Sequence, residues 1–115
     1  MKTRIPQSEW PATLASWSGA MAQVWMYHTT HKRIALRLDK AGESNALYIG
    51  GGGCSWISGP FGWINAQISI LDNADKTEML IVDTENGFKL KCRGVGLFLA
   101  PISSFDESFE NWLDT

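Results

Sequence analysis

The chain has 115 residues, 44% hydrophobic and 19% charged, with a formal net charge of −2. That composition excludes an intrinsically disordered chain, which needs low hydrophobicity and high charge. The length suits a single globular domain over residues 1–115, and the acidic balance argues against nucleic acid, whose phosphates call for a basic face.

Residues 1–8 carry Lys2 and Arg4 but no apolar run behind them, so they do not read as a secretory signal. No stretch approaches the ~20 apolar residues of a membrane helix. Cys54 and Cys92 form no C-x-x-C motif. The expectation is two separate, reduced, structural thiols in a cytoplasmic protein.

Trp10, Leu14 and Trp17 recur at i, i+4 and i+7 and share one helical face. With Ser8 as N-cap, Pro11 in the first turn and Gly19 as the stop, the spacing predicts a helix over 8–18. From residue 20 the period changes to two. Val24, Met26 and His28 alternate with Gln23, Trp25 and Tyr27, and a turn follows at 30–32. Ile34, Leu36 and Leu38 then alternate with Arg33, Ala35, Arg37 and Asp39, the pattern of a half-buried antiparallel strand. A turn at 40–44 leads to a strand through Leu47 and Ile49.

Residues 50–62 carry six glycines. Glycine loses the most entropy on ordering, so this stretch is expected to be a bulge or wide turn rather than a central strand. Alternation resumes at 64–70, with Ile64, Ala66, Ile68 and Ile70 facing the core and Trp63, Asn65, Gln67 and Ser69 opposite. Residues 72–75 have turn chemistry. Residues 79–82 form a strand, Asn86-Gly87 signals a hairpin, and strands follow over 88–92 and 95–99. Ser104 and Glu107 fit a capping box, and Phe105, Phe109, Trp112 and Leu113 make an apolar stripe, which predicts a second helix over 105–113. No helix-period segment separates the strands, which excludes parallel βαβ units. The fold class is α+β: a mainly antiparallel meander of about six strands, curled or barrel-like, with a short helix at each end.

The glycine stretch lacks the Gly-Lys-Ser/Thr of a phosphate loop and the G-x-S-x-G of a nucleophile elbow. His28 and His31 are too few for a zinc site, and neither a metal nor another cofactor is expected. Lys89, Lys91 and Arg93, with Arg33 and Arg37, read as solvated sheet faces balanced by Asp39, Asp83 and Glu85. The acidic residues of the last helix read as its solvent side.

Tryptophan is the softer but more useful signal. Trp25, Trp56 and Trp63 fall outside the core phase, and exposed indoles concentrate at interfaces. Either they are exposed or the terminal helices cover them. The expected binding surface is Trp56, Trp63, Asn65 and Gln67, an aromatic tip extended by a strip of amides. It suits a protein partner, a second copy of the chain or a flat polar small molecule. The leading reading is therefore a non-catalytic binding or interaction domain. The alternative is a small enzyme that uses Cys54 or Ser55 with a histidine.

Overall fold

The computed structural model describes residues 3–30, 32–72 and 77–101. His31, most of the turn expected at 72–75, and the helix expected over 105–113 lie outside the described residues.

The Trp10–Leu14–Trp17 stripe forms a helix that is shorter than its pattern suggests. A 3-10 turn, Gln7–Glu9, leads into α1 (Trp10–Ser16). Ser8 sits inside that turn instead of capping the helix; the capping positions fall to Pro6 and Glu9, and neither makes a side-chain cap bond. Pro11 occupies the first turn, where its missing N–H leaves no bond broken. All three stripe residues are buried. Trp10 Nε1 donates to the Ile5 carbonyl at 3.0 Å, so the indole enters the core with its polar atom satisfied. The helix ends earlier than the expected stop at Gly19: its C-cap is Trp17, and Gly19, at φ +90°, lies in the turn that follows.

The strands are β1 (Thr3–Ile5), β2 (Met21–His28), β3 (Arg33–Asp39), β4 (Asn45–Gly52), β5 (Trp56–Ser58), β6 (Gly62–Trp63), β7 (Ser69–Asp72), β8 (Met79–Asp83), β9 (Phe88–Cys92) and β10 (Gly94–Pro101). They make two antiparallel sheets, not one curled meander. The larger has the order β1-β10-β4-β3-β2-β6 and the smaller β5-β9-β8-β7. The sheets do not close into a barrel. Residues from both meet in one core, among them Leu36, Ile49 and Leu97 from the larger sheet and Ile81, Phe88 and Leu90 from the smaller.

Three local departures from the expected pattern shape this architecture. The first is the glycine run. Gly50, Gly51 and Gly52 continue β4 as a central strand, paired with Gly96, Val95 and Gly94 of β10 on one side. Gly50 and Gly51 also pair with Ala35 and Ile34 of β3 on the other. The entropy cost of glycine is real, but Gly51 is needed: a Cβ there would run into Cys92 Sγ and stand 3.2 Å from Cys54 Sγ.

The second departure lies at 64–70, which does not form one strand. Asn65 has φ +56°, a left-handed backbone that breaks the extended run and shifts its phase. Trp63 therefore points inward and Ile64 outward, while Ala66 and Ile68 return to the core. The chain leaves the larger sheet at β6 and enters the smaller one at β7. The third is a bulge in β2 between Val24 and Met26, which places Met26 opposite Ala35.

The sheets are joined at a corner. β4 passes to β5 through Gly53 (φ +61°), and β9 passes to β10 through Arg93. These two crossings run side by side: Arg93 N donates to Gly52 O, and Ser55 N to Lys91 O, both at 3.0 Å.

Candidate functional site

The segment from β5 to Ile64 runs from one edge of the smaller sheet to one edge of the larger. Its apolar side chains divide sharply. Trp56 is 56% exposed, Ile57 46%, Phe61 84% and Ile64 74%, whereas Trp63 is 9% exposed. β5 is an edge strand, and it pairs with β9 through Trp56 opposite Lys91, Ile57 opposite Leu90 and Ser58 opposite Lys89. Because Leu90 points into the core, Trp56 and the two lysines share the outer face. Gly59 (φ +129°) lets the following turn press onto β9, since a Cβ there would lie 2.7 Å from Gly87 O. The turn is held against the body of the protein while Phe61 projects from it.

Trp63 is anchored by a buried carboxylate. Its Nε1 donates to Asp83 Oδ2 at 2.8 Å, and its ring stacks on Phe88 with centroids 4.7 Å apart. Asp83 has no solvent exposure. It also accepts from Gln67 N at 2.8 Å and from Asn86 through Nδ2 at 3.0 Å and N at 3.3 Å. The expectation that Asp83 balances lysines on a solvated face is thus corrected. It is an interior acceptor that ties together the end of β8, the turn before β9 and the crossing from β6 to β7.

The four residues expected to form one surface do not share a face. Trp56 is exposed on the smaller sheet, and Trp63 is in the core. Asn65 is exposed at the left-handed turn, where its carbonyl accepts from Asn86 Nδ2 at 3.3 Å. Gln67 turns toward α1 and accepts from Ser18 Oγ at 2.7 Å. Its neighbourhood is a cleft between α1 and β7 lined by Leu14, Ser18, Ile70 and Leu71. Phe61, expected to protrude beside Trp56, and Ile64, expected to face the core, are the most exposed large apolar side chains of the segment.

Trp25 is half-buried on the outer face of the larger sheet. The Arg37 guanidinium lies 4.3 Å from its ring centroid and pairs with Asp39 at 3.0 Å. Arg37 is itself buried, so the expected solvated basic face is corrected here: the arginine is a packed, charge-paired group. Burial pushes the Tyr48 hydroxyl up from its ordinary range, and Arg37 opposes that shift. Lys89 and Lys91 lie on the smaller sheet, so the two basic groups do not merge into one patch.

The corner brings Cys54 and Cys92 together, with Sγ atoms 3.3 Å apart and both thiols free. Two separated structural cysteines were expected; the structure places them as a facing pair. Continuing the Gly52–Gly94 register two residues further sets Cys54 across from Cys92. Cys54 is partly exposed, and Cys92 is fully buried. The hydrogen bond with Cys92 holds the Cys54 thiol below its ordinary range, opposed by burial and aided by the backbone of Ile34. The same bond, with burial, pushes Cys92 up. Ser55 donates its hydroxyl to Glu78.

No described helix is long and apolar enough to cross a membrane. No protein-family model, curated protein or solved structure matches this chain.

Proposed function

We propose that this chain is a non-catalytic protein-interaction domain whose contact surface is the apolar ridge of Trp56, Phe61 and Ile64, and whose partner is a second copy of itself. The observation that carries the reading is the exposure of these side chains along an edge strand and the turn beside it. An edge strand offers a row of backbone donors and acceptors, and exposed rings beside it act as anchors for a partner that buries them. Two copies of β5 can pair antiparallel about a two-fold axis, each supplying the same residues to the other. The charges suit such a contact. Trp56 has Lys91 opposite it in register, and Glu78 is bonded to its neighbour Ser55, so each copy offers both signs beside the same anchor.

The enzyme reading draws less support. Cys54 faces a second thiol, and the Ser55 hydroxyl is engaged by a carboxylate rather than an imidazole.

Sedimentation of the full chain across a concentration range tests the proposal. A dimer is expected, with Trp56→Ala and Phe61→Ser each weakening it about tenfold or more, the scale of a hot-spot truncation above 1.4 kcal/mol. A wild-type chain that stays monomeric up to about 0.1 mM removes the self-association. A dimer unaffected by both substitutions removes the ridge.

A further inference from the structure

We propose that Cys54 and Cys92 form a reversible redox site, in which a hydroperoxide oxidises Cys54 and Cys92 resolves the product to an intramolecular disulfide across the sheet corner.

The geometry meets the requirements of such a pair one by one. The sulfurs are 3.3 Å apart, so a bond of about 2.05 Å needs them to approach by about 1.3 Å in total. Cys54 lies in the connection between β4 and β5 and Cys92 ends β9, and the Ser55–Lys91 and Arg93–Gly52 backbone bonds bracket the pair and hold the two segments together. Gly51 lies under both sulfurs, and any side chain there would occupy the space they share. Gly52, Gly53 and Gly94 flank the pair at the corner and offer the soft backbone that absorbs a small closure.

Exposure assigns the order of events. Cys54 is reachable from solvent and Cys92 is not. An oxidant therefore meets Cys54 first. The thiolate is the attacking form, and the hydrogen bond with Cys92 together with the Ile34 backbone favours it at Cys54. The Cys54 thiolate attacks one oxygen of the hydroperoxide and breaks the O–O bond; it becomes a sulfenic acid, and the other oxygen leaves as the alcohol or water after taking up a proton. Cys92 then attacks the Cys54 sulfur, the sulfenic hydroxyl leaves as water with the Cys92 proton, and the S–S bond forms. A thiol reductant reverses the sequence by exchange at the more exposed Cys54 sulfur. The closed bond links the start of β5 to the end of β9, so it fixes the edge strand of the smaller sheet at the corner from which the two sheets diverge.

The test treats the reduced full chain with hydrogen peroxide and follows intact mass, free thiols and a peptide map. The wild type is expected to lose both thiols and the mass of two hydrogens, to yield a Cys54–Cys92 peptide while remaining monomeric by non-reducing electrophoresis, and to recover both thiols with dithiothreitol. Cys92→Ser is expected to stop at the Cys54 sulfenic acid, captured by dimedone. Cys54→Ser is expected to lose its remaining thiol at least about tenfold more slowly than the wild type loses its two, because Cys92 is buried. The wild-type readout is independent of whether either variant folds. A wild type that keeps both thiols in excess peroxide overturns the proposal. So does one that carries sulfinic acid on Cys54 with Cys92 still a thiol, or one that forms only intermolecular bridges.

Discussion

Trp56 and Trp63 lie seven residues apart in the same segment and meet opposite fates. Trp63 has a polar partner waiting inside: the Asp83 carboxylate takes its indole N–H, and Phe88 takes its ring. Trp56 has Lys91 beside it on an edge strand and open solvent beyond. Hydrophobicity is identical at the two positions, so it decides nothing. Burial of an indole follows where the backbone phase points it inward and a buried acceptor satisfies its nitrogen. Both conditions hold at Trp63 and neither at Trp56. The same segment thus supplies a rivet to the core and a ridge to the surface.

The largest effect is expected inside the core, at the acceptor that holds Trp63. Asp83→Ala removes the acceptor of the buried Trp63 indole N–H and of the part-buried Gln67 N–H and Asn86 amide donors. Each orphaned donor costs about 1–3 kcal/mol, so an overall loss of about 3–5 kcal/mol is expected, a large share of the stability of a chain this size. Trp63→Ala should fall in the same range, about 3–5 kcal/mol for emptying a buried aromatic site. Urea unfolding measures both. If either leaves the midpoint unchanged, the rivet is not where the stability lies.

A second, smaller effect is expected at Gly51. Gly51→Ala sets a methyl against the Cys92 sulfur, and the collision falls on β4 and β9 where the Arg93 N to Gly52 O bond ties the two sheets together at the corner. Overpacking of this kind costs about 1–3 kcal/mol. The double variant Gly51→Ala, Cys92→Ala removes the obstructing sulfur, so it is expected to recover part of that loss. Failure of the rescue would place the constraint elsewhere in β4.

Much of this arrangement is legible in the sequence because side chains carry the period. The strand through Ile34, Leu36 and Leu38, the Trp10–Leu14–Trp17 stripe and the hairpin before Phe88 appear where their patterns put them, although that strand, expected to be half-buried, has Ala35 and Arg37 buried on its second face. What is not legible lies where the signal is not carried by side-chain period. Gly50 to Gly52 form a central strand, yet glycine contributes no side chain for alternation to register, and the reason for glycine there is a sulfur from a distant strand. Asn65 turns left-handed, as asparagine more readily does than most residues, and one such residue reverses every assignment of face on its flanks. The exposure of Trp56 follows from its edge position, but that of Phe61 and Ile64 follows from the turn and the slip. The Cys54–Cys92 contact spans 38 residues and depends on the sheet corner, which no local pattern announces. One clue to the Trp63 anchor was present: an aspartate directly after the apolar run 79–82 is an unusual place for a charge unless something inside pairs with it.

The smallest effect on folding is expected on the ridge, and its smallness is the point. Phe61 is 84% exposed on a turn tied to β2 through its own backbone carbonyl, which accepts from Val24 N at 2.6 Å, so the ring contributes little to keeping that turn in place. Phe61→Ser should shift stability by no more than about 0.5 kcal/mol, the usual range for a surface position. Trp56→Ala should cost somewhat more, about 1 kcal/mol, because part of its ring rests beside Lys91 in the sheet. These values are to be read at a protein concentration low enough to populate the monomer, since a dimer that dissociates on unfolding would add its own association energy to the apparent stability. At high concentration the wild type should then gain stability and the two variants should not. A wild-type midpoint that is independent of concentration, or a Trp56→Ala variant that loses several kcal/mol as a monomer, would make Trp56 a core residue in function. The contrast with Trp63 would then be one of degree rather than of role.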